Sequence, residues 1–91
     1  MMNFAGYNIP EHTQHALSNY IEHGFEPGGF LCAVLSNDLM GAVARADSMN
    51  AVAIPEIAKF IYNQVPRGAW GSAERISEYC ASVAAHRNML D

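Results

Sequence analysis

Residues 27–47 read PGGFLCAVLSNDLMGAVARAD, and Arg45 and Asp47 stand out there among alanines. An arginine presents a fixed fork of donors that suits a phosphate or a carboxylate. Upstream, Gly28 and Gly29 open an apolar run that starts with Phe30. Glycines at a helix start leave backbone N–H groups uncovered at the positive end of the dipole, where anions are accepted. Their spacing matches neither the P-loop nor the dinucleotide-binding pattern. Further on, VPRGAWGS (65–72) sets Arg67 near Trp70, a cation and a flat aromatic that can stack a base or a peptide side chain. The candidate ligand-binding set is therefore Gly28, Gly29, Phe30, Arg45, Asp47, Arg67 and Trp70. Each has a plainer reading. The glycines serve a tight turn, Arg45 pairs with Asp38, Asp47 or a later acid, and Trp70 covers a thin core. Phe25 and Tyr62 are aromatics of the same ambiguous kind, more often core than site.

Other chemistry finds less support. His12, His15, Asn19, Glu22 and His23 share one face of a helix, but His12 and His23 lie roughly 16 Å apart along its axis and cannot hold one ion together. His12 with His15 leaves a two-ligand site that needs help from elsewhere, so a solvated face is expected and no metal. No serine sits in a nucleophile-elbow pattern. Cys32 and Cys80 fall inside apolar runs and read as buried, reduced thiols. No catalytic residue is expected, nor any cofactor.

Composition narrows the partners. Five basic residues, Arg45, Lys59, Arg67, Arg75 and Arg87, face nine acidic ones for a net charge of −4. Scattered cations on an acidic chain cannot neutralise several phosphates of a duplex at once, so direct DNA binding is not expected. The apolar run 30–35 (FLCAVL) falls far short of the ~20 residues a membrane span needs. No signal peptide is evident, and a cytoplasmic protein is expected. With 51% hydrophobic and 15% charged residues, the chain is too apolar for disorder. At 91 residues it makes one domain, burying roughly 60–65% of its unfolded surface. The apolar surface left over points to a homo-oligomer.

The elements that position these residues follow from periodicity and punctuation. Residues 1–9 form an irregular leader with Phe4 and Tyr7 available to pack. Pro10 and Gly24 bound a helix whose Thr13, Leu17, Tyr20 and Ile21 share about 80° of arc. A turn at 25–29 leads to a short central helix at about 28–36. Asn37 suits an N-cap for a third helix at about 38–51, with Leu39, Ala42, Val43, Ala46, Met49, Asn50 and Ala53 facing inward. Pro55 opens a fourth helix, 55–64, that buries Ile57, Ala58, Ile61 and Val65. Ser72 caps the last, about 73–87, whose inner face carries Ile76, Tyr79, Cys80, Val83, Ala84 and Arg87. No strand pattern or repeat appears. The expected fold is all-α, a compact bundle of four or five short helices in a single domain spanning 1–91.

The elements PG-x-FL-x-AVL-x-ND (27–38), A-V-x-RAD (42–47), YN-xx-P (62–66) and WGS (70–72) resemble a group of short bacteriophage and prophage proteins that carries no assigned activity. The resemblance runs through most of the chain from Ile9. It implies a cytoplasmic accessory protein made in an infected bacterium, and such proteins without catalytic motifs commonly act by binding. The first expectation is an anti-defence sponge. Pockets of a small homo-oligomer would sequester a nucleotide-derived immune signal, a cyclic nucleotide or an ADP-ribose derivative, with arginine on phosphates and aromatics on bases. The alternative is an inhibitor that docks directly on a host protein, as anti-CRISPR proteins do. A virion component is a third, lesser reading. Arg45, Arg67 and Trp70 around one concavity favour the sponge. A flat apolar patch, with those residues apart, favours the inhibitor.

Overall fold

The computed structural model describes residues 2–90, with side chains through residue 86, as an all-α bundle. Its helices are α1 (Glu11–His23), α2 (Gly29–Leu35), α3 (Leu39–Arg45), α4 (Ser48–Gln64) and α5 (Ala73–Leu90), with a 3-10 turn at Arg67–Ala69. No helix among the described residues is long and apolar enough to cross a membrane.

α1 starts just after Pro10, whose carbonyl accepts from the Thr13 and Gln14 amides. It ends at Gly24, left-handed at φ +71°. A side chain at Gly24 would be strained twice, since its Cβ would also sit 2.9 Å from Val83 Cβ on α5. The inner stripe of α1 is Thr13, Leu17, Ser18 and Tyr20. The leader joins the core, with the Phe4 ring stacked on Phe60 at 4.4 Å and Tyr7 edge-on to Phe60 at 5.2 Å. Tyr20, Phe60, Leu17, Leu35 and Ile57 are fully buried at the centre. Tyr20 also donates its hydroxyl to the Ala69 carbonyl at 2.6 Å, pinning the 3-10 turn to α1.

Between α2 and α4 the chain departs from the periodic expectation. Asn37 is not the cap; it takes a left-handed conformation, φ 67°, which asparagine tolerates in turns. Asp38 is the cap, its carboxylate accepting from the Gly41 amide at 3.0 Å. The expected helix 38–51 breaks at Ala46, which is extended, and Asp47 caps a new helix by accepting from the Asn50 amide at 2.7 Å. An aspartate three residues before a free amide competes well with helix continuation, because its carboxylate meets an otherwise orphaned donor. The break resets the phase of the inner stripe. Ala42, Asn50 and Ala53 are buried as expected, but Leu39, Val43 and Met49 are more than half exposed. Pro55 does not open α4; it lies inside it, where its missing N–H leaves the Ala51 carbonyl without its intrahelical donor. Ile57, Ile61 and Val65 point inward, and Ala58 does not.

α5 begins as its sequence implies, the Ser72 hydroxyl accepting from the Arg75 amide at 3.2 Å. Ile76 is buried, and Tyr79, Cys80, Val83 and Ala84 are half-buried. The Arg87 side chain lies outside the described residues.

Candidate functional site

The seven candidate residues fall into two groups. The first surrounds the Gly28–Gly29 corner. Gly29 and Arg45 line one cavity of about 310 Å³ with Glu26, Cys32, Ser36 and Asp38. Gly28, Gly29 and Phe30 line a second, about 240 Å³, with His12, Thr13 and Asn50. The two cavities meet at Gly29. A Cβ there would sit 3.2 Å from Arg45 Cδ, so glycine lets the arginine stem lie against the α2 backbone. Arg45 Nη1 donates to the Gly41 carbonyl at 3.2 Å, one turn back. No ion pair joins Arg45 to a carboxylate among the described residues, so the expected pairing with Asp38 or Asp47 is not formed.

Asp47 belongs to a different network at the same corner. Its Oδ2 lies 3.1 Å from His12 Nε2, and Asn50 ties the cluster together. Thr13 donates its hydroxyl to Asn50 Oδ1 at 2.6 Å inside the core, while Asn50 Nδ2 reaches Asp47 Oδ2 at 3.5 Å. The Asn50 amide bond, and then the His12 contact, hold the Asp47 carboxyl below its usual range. This cluster latches α1 to the start of α4. Sequence reasoning missed His12 and Asn50 as its partners, although an aspartate at position 47 is by residue type a helix N-cap signal.

The second group lies elsewhere. Trp70 is half-buried and packs on the core from a cavity of about 440 Å³, lined also by Val34, Asn37, Ala58, Lys59, Ile61, Tyr62 and Asn63. The Arg67 guanidinium sits over the Trp70 ring at 5.3 Å, and Tyr62 meets the ring at 5.9 Å. Arg75 fixes the turn, its Nη1 donating to the carbonyls of Arg67 and Trp70. The Trp70 Nε1–H is buried with no acceptor among the described residues, so packing rather than polar anchoring holds the ring. Arg45 and Trp70 thus line different cavities, on different sides of α2. Tyr62 and Phe25 are not core: they are 68% and 54% exposed.

The histidine face of α1 is exposed, and no three His, Cys, Asp or Glu side chains among the described residues group as metal ligands. Cys32 and Cys80 are free and half-buried rather than fully buried. Burial, then the nearby Glu26 carboxylate, pushes both thiols up from their ordinary value, which makes them poor nucleophiles. Compared with family models, curated proteins and solved structures, the chain matches none of them.

One further surface had no place among the candidates. Leu39, Met40 and Val43 on α3, with Met49 and Val52 on α4, are 56–82% exposed. Periodicity places Leu39, Val43 and Met49 inside, and the structure leaves all three in solvent.

Proposed function

We propose that this chain is a non-catalytic accessory protein of a phage that acts in the cytoplasm of the infected bacterium by docking on a host protein. One observation carries the reading: five large apolar side chains of α3 and early α4 stand in solvent. Each exposed apolar side chain is ordinary alone, but this concentration on a 91-residue chain is the mark of an interface. The separation of Arg45 from Arg67 and Trp70 points the same way, since it denies a single chain the combined phosphate and base site. The test is retention of a host protein from infected lysate, repeated with the purified partner. Wild type retains it, and Met40→Gln/Val43→Gln loses it while melting at the same temperature. Retention unchanged by the double variant removes the reading.

A second reading, sequestration of a nucleotide-derived signal by a homo-oligomer, draws on Arg45. Its guanidinium donates to a backbone carbonyl, that of Gly41, and lines a cavity with Glu26 and Asp38. One cation beside two carboxylates suits a ligand with one anionic group and several N–H donors better than a polyphosphate. A neighbouring copy would have to bring its Arg67 and Trp70 to this corner. Native mass spectrometry with cyclic di- and trinucleotides and ADP-ribose derivatives decides it. An oligomer carrying a fixed number of ligands, lost in Arg45→Ala, replaces the docking reading with this one.

A further inference from the structure

The cavity at Trp70 does not end there. It shares Val34, Asn37 and Ala58 with a smaller one, about 100 Å³, that reaches Leu39 and Ile54. Together they form one groove between the α2–α3 corner and the outer flank of α4, from Leu39 to Trp70. Along α4 it runs from Ile54 to Asn63, about 14 Å at 1.5 Å per residue, which accommodates two to three turns of an incoming helix. Its walls are mostly apolar, with Leu39 and Tyr62 more than half exposed; Asn37 and Asn63 are polar members, and Asp38 lines the Leu39 end. Its charges have one sign at the Trp70 end. Lys59 lines it and Arg67 lies on the Trp70 ring, while no carboxylate lines that larger cavity. Glu56 meets Lys59 at 3.5 Å; Arg67 has no carboxylate partner among the described residues.

From this we infer that the groove takes an amphipathic helix of another protein, its apolar stripe on Ala58, Tyr62 and Trp70 and its acidic flank toward Arg67 and Lys59. The inference deepens the docking reading and rests on it. Concavity argues against a second copy laid groove to groove, because two hollows cannot fill each other and the pairing would gather four cations at one apolar interface. A second copy offers no suitable helix either: α1 and α5 expose no large apolar side chain among the described residues. The exposed ones of α3 sit on a helix of seven residues, too short for anchors at i and i+7, and Met49 and Val52 on α4 are three residues apart. Helix-in-groove recognition needs anchors at i, i+3 or i+4, and i+7, a span of about 10 Å that the groove exceeds. Complementary charge at the rim sets orientation and partner choice more than affinity.

The test is a selection from a randomised, helix-constrained peptide library against the full chain, with counter-selection against Ala58→Glu. Ala58 and Tyr62 are exposed, so Ala58→Glu and Tyr62→Lys are expected to fold, and melting checks each. Trp70 is the sole tryptophan, so its emission reports occupancy directly with tryptophan-free peptides. The expected winners carry the apolar stripe and an Asp/Glu flank, shift Trp70 emission to the blue, and bind at least 10-fold more weakly to Ala58→Glu, Tyr62→Lys and Arg67→Glu. Winners with a basic flank, or none that tells wild type from both groove variants, overturn the inference. So does a dimer in solution that Ala58→Glu returns to monomer, since the occupant is then a second copy. If a host protein binds regardless of the groove variants but is lost in Met40→Gln/Val43→Gln, the docking reading stands and the groove alone falls.

Discussion

α2 and α3 are consecutive helices of seven residues each, both apolar, GFLCAVL and LMGAVAR. α2 buries Leu31, Ala33 and Leu35; α3 buries only Ala42. The cause is position rather than composition. α2 packs on both α3 and α5, and the Gly71 amide donates to its Leu35 carbonyl at 2.6 Å. α3 has α2 as its main neighbour, and the turn at Asn37 and the extended link at Ala46 hold it as an outer bracket. One short apolar helix is therefore core and its neighbour is surface. The surplus apolar area of the chain is thus gathered largely where a partner can reach it.

The sharpest way to break this comparison is to truncate one leucine in each helix. Leu35→Ala removes a fully buried side chain and is expected to cost about 2–5 kcal/mol of stability in a urea melt. Leu39→Ala, at a site 62% exposed, is expected to cost under about 1 kcal/mol. Equal losses would mean that α3 is held as part of the core after all.

That asymmetry is also where the sequence ceased to be legible. The all-α class, the α1 stripe, the Gly24 stop and the Ser72 cap follow from local rules that tertiary packing did not override. α3 fails because two readings compete over 38–51. A 3.6-residue stripe from Leu39 to Ala53 favours one helix, and the Asp47 cap favours two. The cap wins by meeting a specific donor; Met49 then falls on the outer side of the new helix, and Leu39 and Val43 stay exposed because α3 has α2 as its main neighbour. Pro55 follows from the same cap, since the earlier start of α4 leaves it inside the helix. At the site, Arg45 and Gly29 are neighbours only because α3 folds back across the α2 start. No local pattern announces that, nor the groove that Ala58 and Tyr62 share with Trp70.

A smaller effect sharpens what holds the core side. Tyr20→Phe keeps the ring and removes the hydroxyl that donates to Ala69 at 2.6 Å, leaving a buried carbonyl unmet. The expected loss is about 1–2 kcal/mol, with no change in the denaturant slope. An unchanged midpoint would show that the 3-10 turn does not depend on α1.

Asp47 closes off α3 and caps α4, and its test is pH. Its carboxyl titrates below the ordinary range in the folded chain, through the Asn50 amide and then His12. A depressed folded value means that this stabilisation is complete above the unfolded value, about 3.9, and is lost as pH falls through the lower folded value. Asp47→Asn keeps a capping oxygen but not the charge. Wild type should therefore lose stability more steeply than the variant as pH is lowered from 5 to about 3. Parallel curves would mean that the carboxylate charge adds nothing to the α3–α4 break.

The least effect on folding is expected on α3, and that absence is what separates interface from core. Met40→Gln and Val43→Gln replace exposed apolar groups with polar ones that reach into solvent, so each should leave stability within about 0.5 kcal/mol. A core substitution of this kind would bury an amide without a partner and lower the melt clearly. Removing apolar contact area from an interface, by contrast, acts mainly on dissociation. A variant pair that melts like wild type yet releases its partner faster places the energy of α3 in recognition. A pair that melts lower shows that α3 packs more deeply than its exposed side chains imply, and the contrast with α2 then disappears.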